Sequence, residues 1–289
     1  MNRADGTVSA ARRVALPGLS LNVVEAGPKN GPPVILLHGF PEFSAGWRHQ
    51  IGPLAAAGFR VVVPDQRGYA GSDKPDAVAD YRLARLGQDV LDLADTLGFG
   101  TFALVGHDWG GIVAFWVAAR HPGRVGRLAI LNAPHPDARW SVMRKDPAQL
   151  LRSWYVAAFQ LPGLPERLLA RRDFAALRGA LLRTSRPGAF GRNDLLLYRE
   201  AWSRPNALVG MLGWYRALVR HPPPTAGRIA VPTLILWGRR DTALGPRFAT
   251  ESLALCDQGR IRWFDGASHW LQHEEPESVN RELLGHLGS

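Results

Sequence analysis

Across residues 11–135, short apolar runs alternate with amphipathic stretches. Residues 19–25 (LSLNVVE) alternate at period two, the pattern of a strand with one buried face. Residues 33–37 (PVILL), 59–63 (FRVVV), 101–105 (TFALV) and 128–131 (LAIL) are continuously apolar and rich in branched side chains. Such runs suit strands covered on both faces of a mainly parallel sheet. Between them, residues 82–97 and 109–120 repeat at helical spacing. The alternation predicts an α/β fold, a central sheet flanked by helices.

The rhythm changes at about residue 138. Residues 146–160, 165–172, 174–182, 194–202 and 205–219 read as helices separated by Pro and Gly, with no convincing strand among them. Strand patterns resume at 232–237 (PTLILW) and 260–264 (RIRWF). The expected organisation is therefore a core in two parts, residues 1–137 and 223–289, interrupted by a helical insertion at 138–222. Ligands of open parallel sheets bind beyond the carboxyl ends of the strands. An insertion emerging after one of those strands is expected to cover that opening.

Charge sharpens this division. Residues 138–222 hold 15 Lys and Arg against 5 Asp and Glu, which is the whole formal excess of +10. No nucleic-acid-binding module or stacking-aromatic pattern accompanies it, so nucleic acid is not an expected partner. Exposed arginine-rich helix faces account for it, and attraction of anions is the sharper alternative. The single cysteine, Cys256, excludes an internal disulfide framework. The beginning MNRADGTVSAARR lacks the apolar centre of a secretory signal, and no apolar run approaches the ~18–20 residues of a spanning helix. A soluble, cytoplasmic protein without stable membrane insertion is expected, with a homodimer left open.

Four segments at strand ends carry the chemistry. His38-Gly39-Phe40-Pro41 follows PVILL, and Asp108 follows TFALVG within GHDWGG. Asp241 follows PTLILWGRR, and His269 follows RIRWFDGAS. GHDWGG has the strand–turn–helix setting of the nucleophile elbow G-x-S-x-G, with Asp108 in place of Ser. The chain order nucleophile, acid, histidine is that of an α/β-hydrolase triad. Asp137 is a second candidate for the acid, ranked below Asp241. His269 and His273 are four apart, but no HExxH or carboxylate pattern supports a metal site. Asp65, Arg67 and Asp73 in DQRGYAGSDKP read as loop-fixing residues, and His107 as structural or pocket-lining.

These motifs resemble the α/β-hydrolase-fold epoxide hydrolases with an aspartate nucleophile. The resemblance runs from about residue 20 to 285 through HGFPEFSAGWRHQ, DQRGYAGSDKP, GHDWGGIVAFWVAARHPGRV, LNAPHP, WYVAAFQLPGLPE, GWYR, GRRD and GASHW. It implies Asp108 as nucleophile, His269 as base, Asp241 as the acid that orients it, and Tyr155 and Tyr215 as proton donors to the opening ring. Backbone N–H groups of Phe40 and Trp109 would form the oxyanion hole, and the Phe40–Pro41 bond would be cis. His38, Pro41, Trp154 and Phe159 are expected to touch substrate, and no metal or organic cofactor is called for. The partner implied is a small, hydrophobic epoxide.

Chemistry explains why a carboxylate replaces the serine. A serine attacking saturated carbon would leave an ether, which activated water does not readily cleave. A carboxylate leaves an ester, whose carbonyl that water can attack, so one difficult displacement becomes two easier steps. Dehalogenases are the nearest alternative. They share the Asp followed by Trp, but many pair it with Asn where this chain has Phe40, and they do not call for the Tyr155–Tyr215 pair. A non-catalytic binding protein on the same scaffold ranks lower, since every expected catalytic side chain is present.

Overall fold

A computed structural model describes residues 10–288. Its sheet has eight strands: β1 (Arg12–Leu16), β2 (Leu19–Ala26), β3 (Pro33–Leu37), β4 (Arg60–Pro64), β5 (Phe102–His107), β6 (Val125–Leu131), β7 (Thr233–Gly238) and β8 (Gly259–Phe264). They lie in the order β1-β2-β4-β3-β5-β6-β7-β8. The β1/β2 and β2/β4 pairs are antiparallel and the remainder parallel. The chain steps from β3 to β4 on one side and then returns to β5 on the other. That reversal opens a crevice at the carboxyl ends of β3 and β5. It brings the loop after β3 against the turn after β5.

The helices are α1 (Arg48–Ala56), α2 (Leu83–Thr96), α3 (Trp109–Arg120), α4 (Ala138–Lys145), α5 (Pro147–Arg152), α6 (Trp154–Ala158), α7 (Leu164–Thr184), α8 (Arg192–Ser203), α9 (Ala207–Arg220), α10 (Arg247–Leu253), α11 (Leu271–Glu274) and α12 (Pro276–Leu287). Alternate strand residues feed two cores. Ile35, Leu37 and Leu104 pack with α2 and α3, whereas Val34, Leu36 and Val105 pack with α1 and α12. Covering both faces is why β3 to β7 read as unbroken apolar runs.

Helices α4 to α9 lie between β6 and β7, where the helical block was expected. Its details differ in two places. The stretch 146–160 forms two short helices broken at Ser153, not one. The Asp146 side chain caps the first by accepting from the Ala148 N–H at 3.1 Å. Helix α7 is interrupted at Arg171 to Phe174, where three consecutive residues take positive φ, close to the expected boundary between two helices. Strand β1 and helices α1, α4, α10, α11 and α12 were not anticipated. β1 buries only Val14 and Leu16 of its five residues, and α1 carries Gly52 and Pro53. Neither offers enough periodicity to read. Among the described residues, no helix is long and apolar enough to cross a membrane.

Candidate active site

Asp108 sits on the turn between β5 and α3 with φ 51° and ψ −123°, a conformation costly for a residue with a Cβ. The glycines around it permit the tight reversal. A Cβ on Gly106 would lie 2.4 Å from the Gly110 carbonyl oxygen, and one on Gly110 would lie 2.2 Å from that of Leu37. The turn is thereby pressed onto β3, and the Phe40 N–H donates to Asp108 Oδ1 at 2.8 Å. Trp109 opens α3, so its N–H has no acceptor within the helix. The Phe40–Pro41 peptide bond is cis.

On the other side of Asp108, His269 Nε2 stands 3.6 Å from Oδ2. Its Nδ1 is 2.7 Å from Asp241 Oδ2. Asp241 is almost wholly buried and fully hydrogen-bonded. Its Oδ1 accepts from the N–H groups of Ala243 at 2.8 Å and Leu244 at 2.9 Å, and its Oδ2 accepts from Asn132 Nδ2 at 2.7 Å. Asn132 follows β6, and its Oδ1 accepts from the Gly238 N–H at 2.8 Å, tying the tips of β6 and β7 together. Asp137 is placed elsewhere, accepting from the N–H groups of Ala226 and Gly227.

These contacts set the protonation of the pair. Burial alone would lower the His269 pKa, but the Asp241 charge, the hydrogen bonds to Asp108 and Asp241 and the Asp108 charge outweigh it and raise it to about 10. Burial likewise pushes Asp241 upward, yet the facing imidazolium and its hydrogen-bond donors hold it below the usual carboxylate range.

Tyr155 on α6 and Tyr215 on α9 approach edge-to-face with ring centroids 5.8 Å apart. Arg216, next to Tyr215, donates to the carbonyls of Phe159 at 3.0 Å and Leu161 at 2.9 Å, and its other nitrogen meets Glu166 at 2.6 Å. Gln160 donates to the Tyr215 carbonyl at 3.0 Å. These four bonds clasp the segment after α6 and the start of α7 to α9, and so fix the spacing of the tyrosines. Burial raises both phenol pKa values above 10, with nearby charges adding to it, Asp108 among them for both rings. Both rings border, with Asp108 and Trp109, a cavity of about 100 Å³. Ile112, Pro134, Val156, Leu218, Leu244 and Phe248 give it an apolar wall.

Four positions expected to touch substrate are not brought to that wall. His38 is buried, its Nε2 accepting from the Gln66 N–H at 3.0 Å and its ring packed on Tyr69. The Pro41 carbonyl accepts from Trp202 Nε1 at 2.6 Å, holding α8 to the loop after β3. Phe159 packs behind Tyr155 and Tyr215 at 5.7 and 5.1 Å between centroids. Trp154 is 70% exposed, because the break at Ser153 turns Ser153, Tyr155 and Val156 inward and Trp154 outward. Asp65, Arg67 and Asp73 hold loops, through Ser44 and Gly71, Asp89 and Ser20 respectively.

A buried network went unread in the sequence. Glu42, 1% exposed, accepts from Tyr198 Oη at 2.6 Å and Gln272 Nε2 at 3.0 Å, and faces His273 Nε2 at 2.7 Å and His107 Nδ1 at 3.3 Å. His107 Nε2 in turn donates to the His269 carbonyl at 2.9 Å. This links a helix of the insertion to the backbone of the histidine beside Asp108. His273 is thus engaged with a carboxylate and with Arg48, 2.8 Å away, and not in a metal site with His269.

An α/β hydrolase fold model matches residues 32–276. The chain belongs to the α/β-hydrolase family. Within it, this hydrolase is 41% identical to the AB hydrolase superfamily protein YfhM of Bacillus subtilis, over 93% of this chain and 95% of that one. It is 37% identical to epoxide hydrolase A of Mycobacterium tuberculosis over 96% of each chain. Among solved structures, an epoxide hydrolase from a hot-environment metagenome superimposes with a TM-score of 0.86 at 36% identity, covering 96% of this chain and 98% of that one. Bacillus megaterium epoxide hydrolase, in complex with an inhibitor, gives 0.88 at 28% identity, covering 96% and 100%. The resemblance to epoxide hydrolases read from the motifs is therefore borne out.

Proposed function

We propose that this hydrolase converts an epoxide and water to a vicinal diol through an ester on Asp108, with residues 138–222 acting as a cap over the site. One arrangement carries the reading: a carboxylate at the elbow, with His269 on one side and two phenols, one buried and one half-buried, across a largely apolar cavity. The names of the relatives point the same way.

In the first step an Asp108 carboxylate oxygen attacks one ring carbon, and the C–O bond breaks toward the ring oxygen. Tyr155 or Tyr215 donates a proton to that oxygen. Their raised pKa values keep both phenols protonated at neutral pH, so the donor is always loaded. Esterification removes the Asp108 charge, and with it part of what holds the imidazole protonated. His269 then passes its proton to the phenolate left by the tyrosine, and the neutral imidazole takes one from water. The resulting hydroxide attacks the ester carbonyl. The tetrahedral oxyanion receives the N–H groups of Phe40 and Trp109, each worth ~3 kcal/mol when well aimed. Collapse expels the ester oxygen, which takes the proton of the new carboxyl, so the diol leaves with Asp108 again a carboxylate and His269 again protonated.

Intact-mass analysis with epoxides tests this directly. His269→Gln should gain one epoxide mass per chain, mapped to Asp108, while steady turnover falls at least about a hundredfold. Asp108→Ala should form no adduct. The doubly substituted Tyr155→Phe, Tyr215→Phe chain should form it far more slowly. An adduct on another residue, or adducts from haloalkanes with loss of halide and none from epoxides, would overturn the assignment.

A further inference from the structure

Gln149, on α5 of the insertion, is wholly buried, although its neighbours Ala148 and Leu150 are exposed. Its side-chain amide is fully engaged. Nε2 donates to the Ala243 carbonyl at 2.8 Å and to Ser153 Oγ at 3.1 Å, and Oε1 accepts from the Gly245 N–H at 2.9 Å. A carbonyl on one side and an N–H on the other fix which way the amide points. Gly245 lets α5 come this close, since a Cβ there would lie 3.3 Å from Gln149 Oε1. Each partner of the amide leads to the reaction. Ala243 and Leu244, in the loop between β7 and α10, donate their N–H groups to Asp241 Oδ1, on the carboxylate that holds His269. Leu244 also lines the cavity. Ser153 lines it too, and is the break from which Tyr155 turns inward.

One buried side chain of the insertion thus meets both the loop that seats the triad acid and the break that aims a phenol. We propose that Gln149 is a positioning residue for both halves of the reaction. Its amide acts on Asp241 through the backbone of residues 243–245, and on Tyr155 through Ser153. This rests on the epoxide-hydrolase reading above. Fastening the insertion to the core does not require these links, because Tyr198 and Trp202 of α8 already bond to Glu42 and Pro41. The two N–H groups on Asp241 Oδ1 are aimed only while the loop keeps its shape, and two of that loop's backbone groups end on Gln149. Removing the amide strands the Ala243 carbonyl and the Gly245 N–H, and the loop must shift to find them new partners. Supporting bonds of this kind hold reacting groups to a fraction of an ångström. With Asp241 less firmly held, its charge does less to keep the His269 imidazole protonated.

Rapid mixing with styrene oxide, acid quenching and intact-mass analysis give the rates of ester formation and ester hydrolysis separately. Gln149→Met, similar in length but without the amide, should slow both steps about tenfold or more, the scale of a small misplacement of reacting groups. Ser153→Ala should slow ester formation alone. Gln149→Glu should recover ester hydrolysis but not formation, since a buried carboxyl stays protonated and can donate to Ala243 while accepting from Gly245. Followed by NMR without substrate, the His269 ring should titrate at lower pH in Gln149→Met and unchanged in Ser153→Ala. Should Gln149→Met fail to fold, Gln149→Asn, one methylene too short to span the gap, takes its place with the same expectations. Both steps within about twofold of the wild type, with an unmoved His269 titration, would overturn the positioning role even if the melting temperature fell. Equal losses on both steps in Ser153→Ala would overturn the separation of the two arms. If the wild type forms no ester with any epoxide but the His269 titration still moves in Gln149→Met, the hold on Asp241 stands and the proposed activity falls.

Discussion

His269 lies between two carboxylates, and its protonation is a property of that placement rather than of the residue. With a folded pKa near 10 against an ordinary 6.5, the native state binds the proton more tightly than the unfolded chain. The stabilisation is fully present below about pH 6.5 and is lost as pH rises toward 10. Denaturant midpoints measured from pH 6 to 10 should fall for the wild type and fall less steeply for His269→Gln; parallel curves would contradict the assigned proton. The sequence placed His269 and Asp241 at strand ends but gave no sign of Asn132, the side chain that holds Asp241 from β6. LNAPHP drew attention as a motif, yet an Asn earns a role only when the neighbouring strand tip is known, since β6 and β7 are separated by about a hundred residues of sequence.

At the scale of elements, the tyrosines depend on how α9 seats against the core. Gly210 of α9 packs on Gly68 of the loop after β4, and a Cβ on Gly210 would lie 2.6 Å from the Gly68 carbonyl oxygen. Trp214 on the next turn donates to the Arg67 carbonyl at 3.0 Å. Gly210→Ala should lift the helix, cost ~1–3 kcal/mol of stability and slow epoxide opening through Tyr215. A urea titration and single-turnover rates would check both, and unchanged rates would mean the seating does not govern the tyrosine. The helices of the insertion were legible from their periodicity, and the glycine pair was not, because close approach between backbones leaves no local pattern. The same holds for Trp154. Its neighbour Tyr155 faces inward, but the break at Ser153 that separates their directions is invisible in a stretch that reads as one continuous helix.

Across the whole molecule, Glu42 is where core, insertion and, through His107, the His269 backbone meet. Burial would raise its pKa, but the histidines and hydrogen bonds facing it hold it well below 4.5. A depressed carboxylate stabilises the fold above its unfolded pKa, and that contribution is lost as pH falls through the folded value. Glu42→Gln should therefore be less stable than the wild type near pH 7, with the gap narrowing below about pH 4.5. Thermal unfolding from pH 3 to 7 would show it, and a gap independent of pH would place the proton elsewhere.

By itself the sequence determined the α/β order of elements, the helical block between β6 and β7, and the residues at the four strand ends. Each of these is written in short-range periodicity and in turn chemistry that only certain residues permit. Only the tertiary structure decided which of those residues share a cavity. Asn132 and Glu42 acquire their surroundings from strands and helices far away in sequence. Whether a polar side chain is buried, and by what it is partnered, depends on neighbours that no local pattern names.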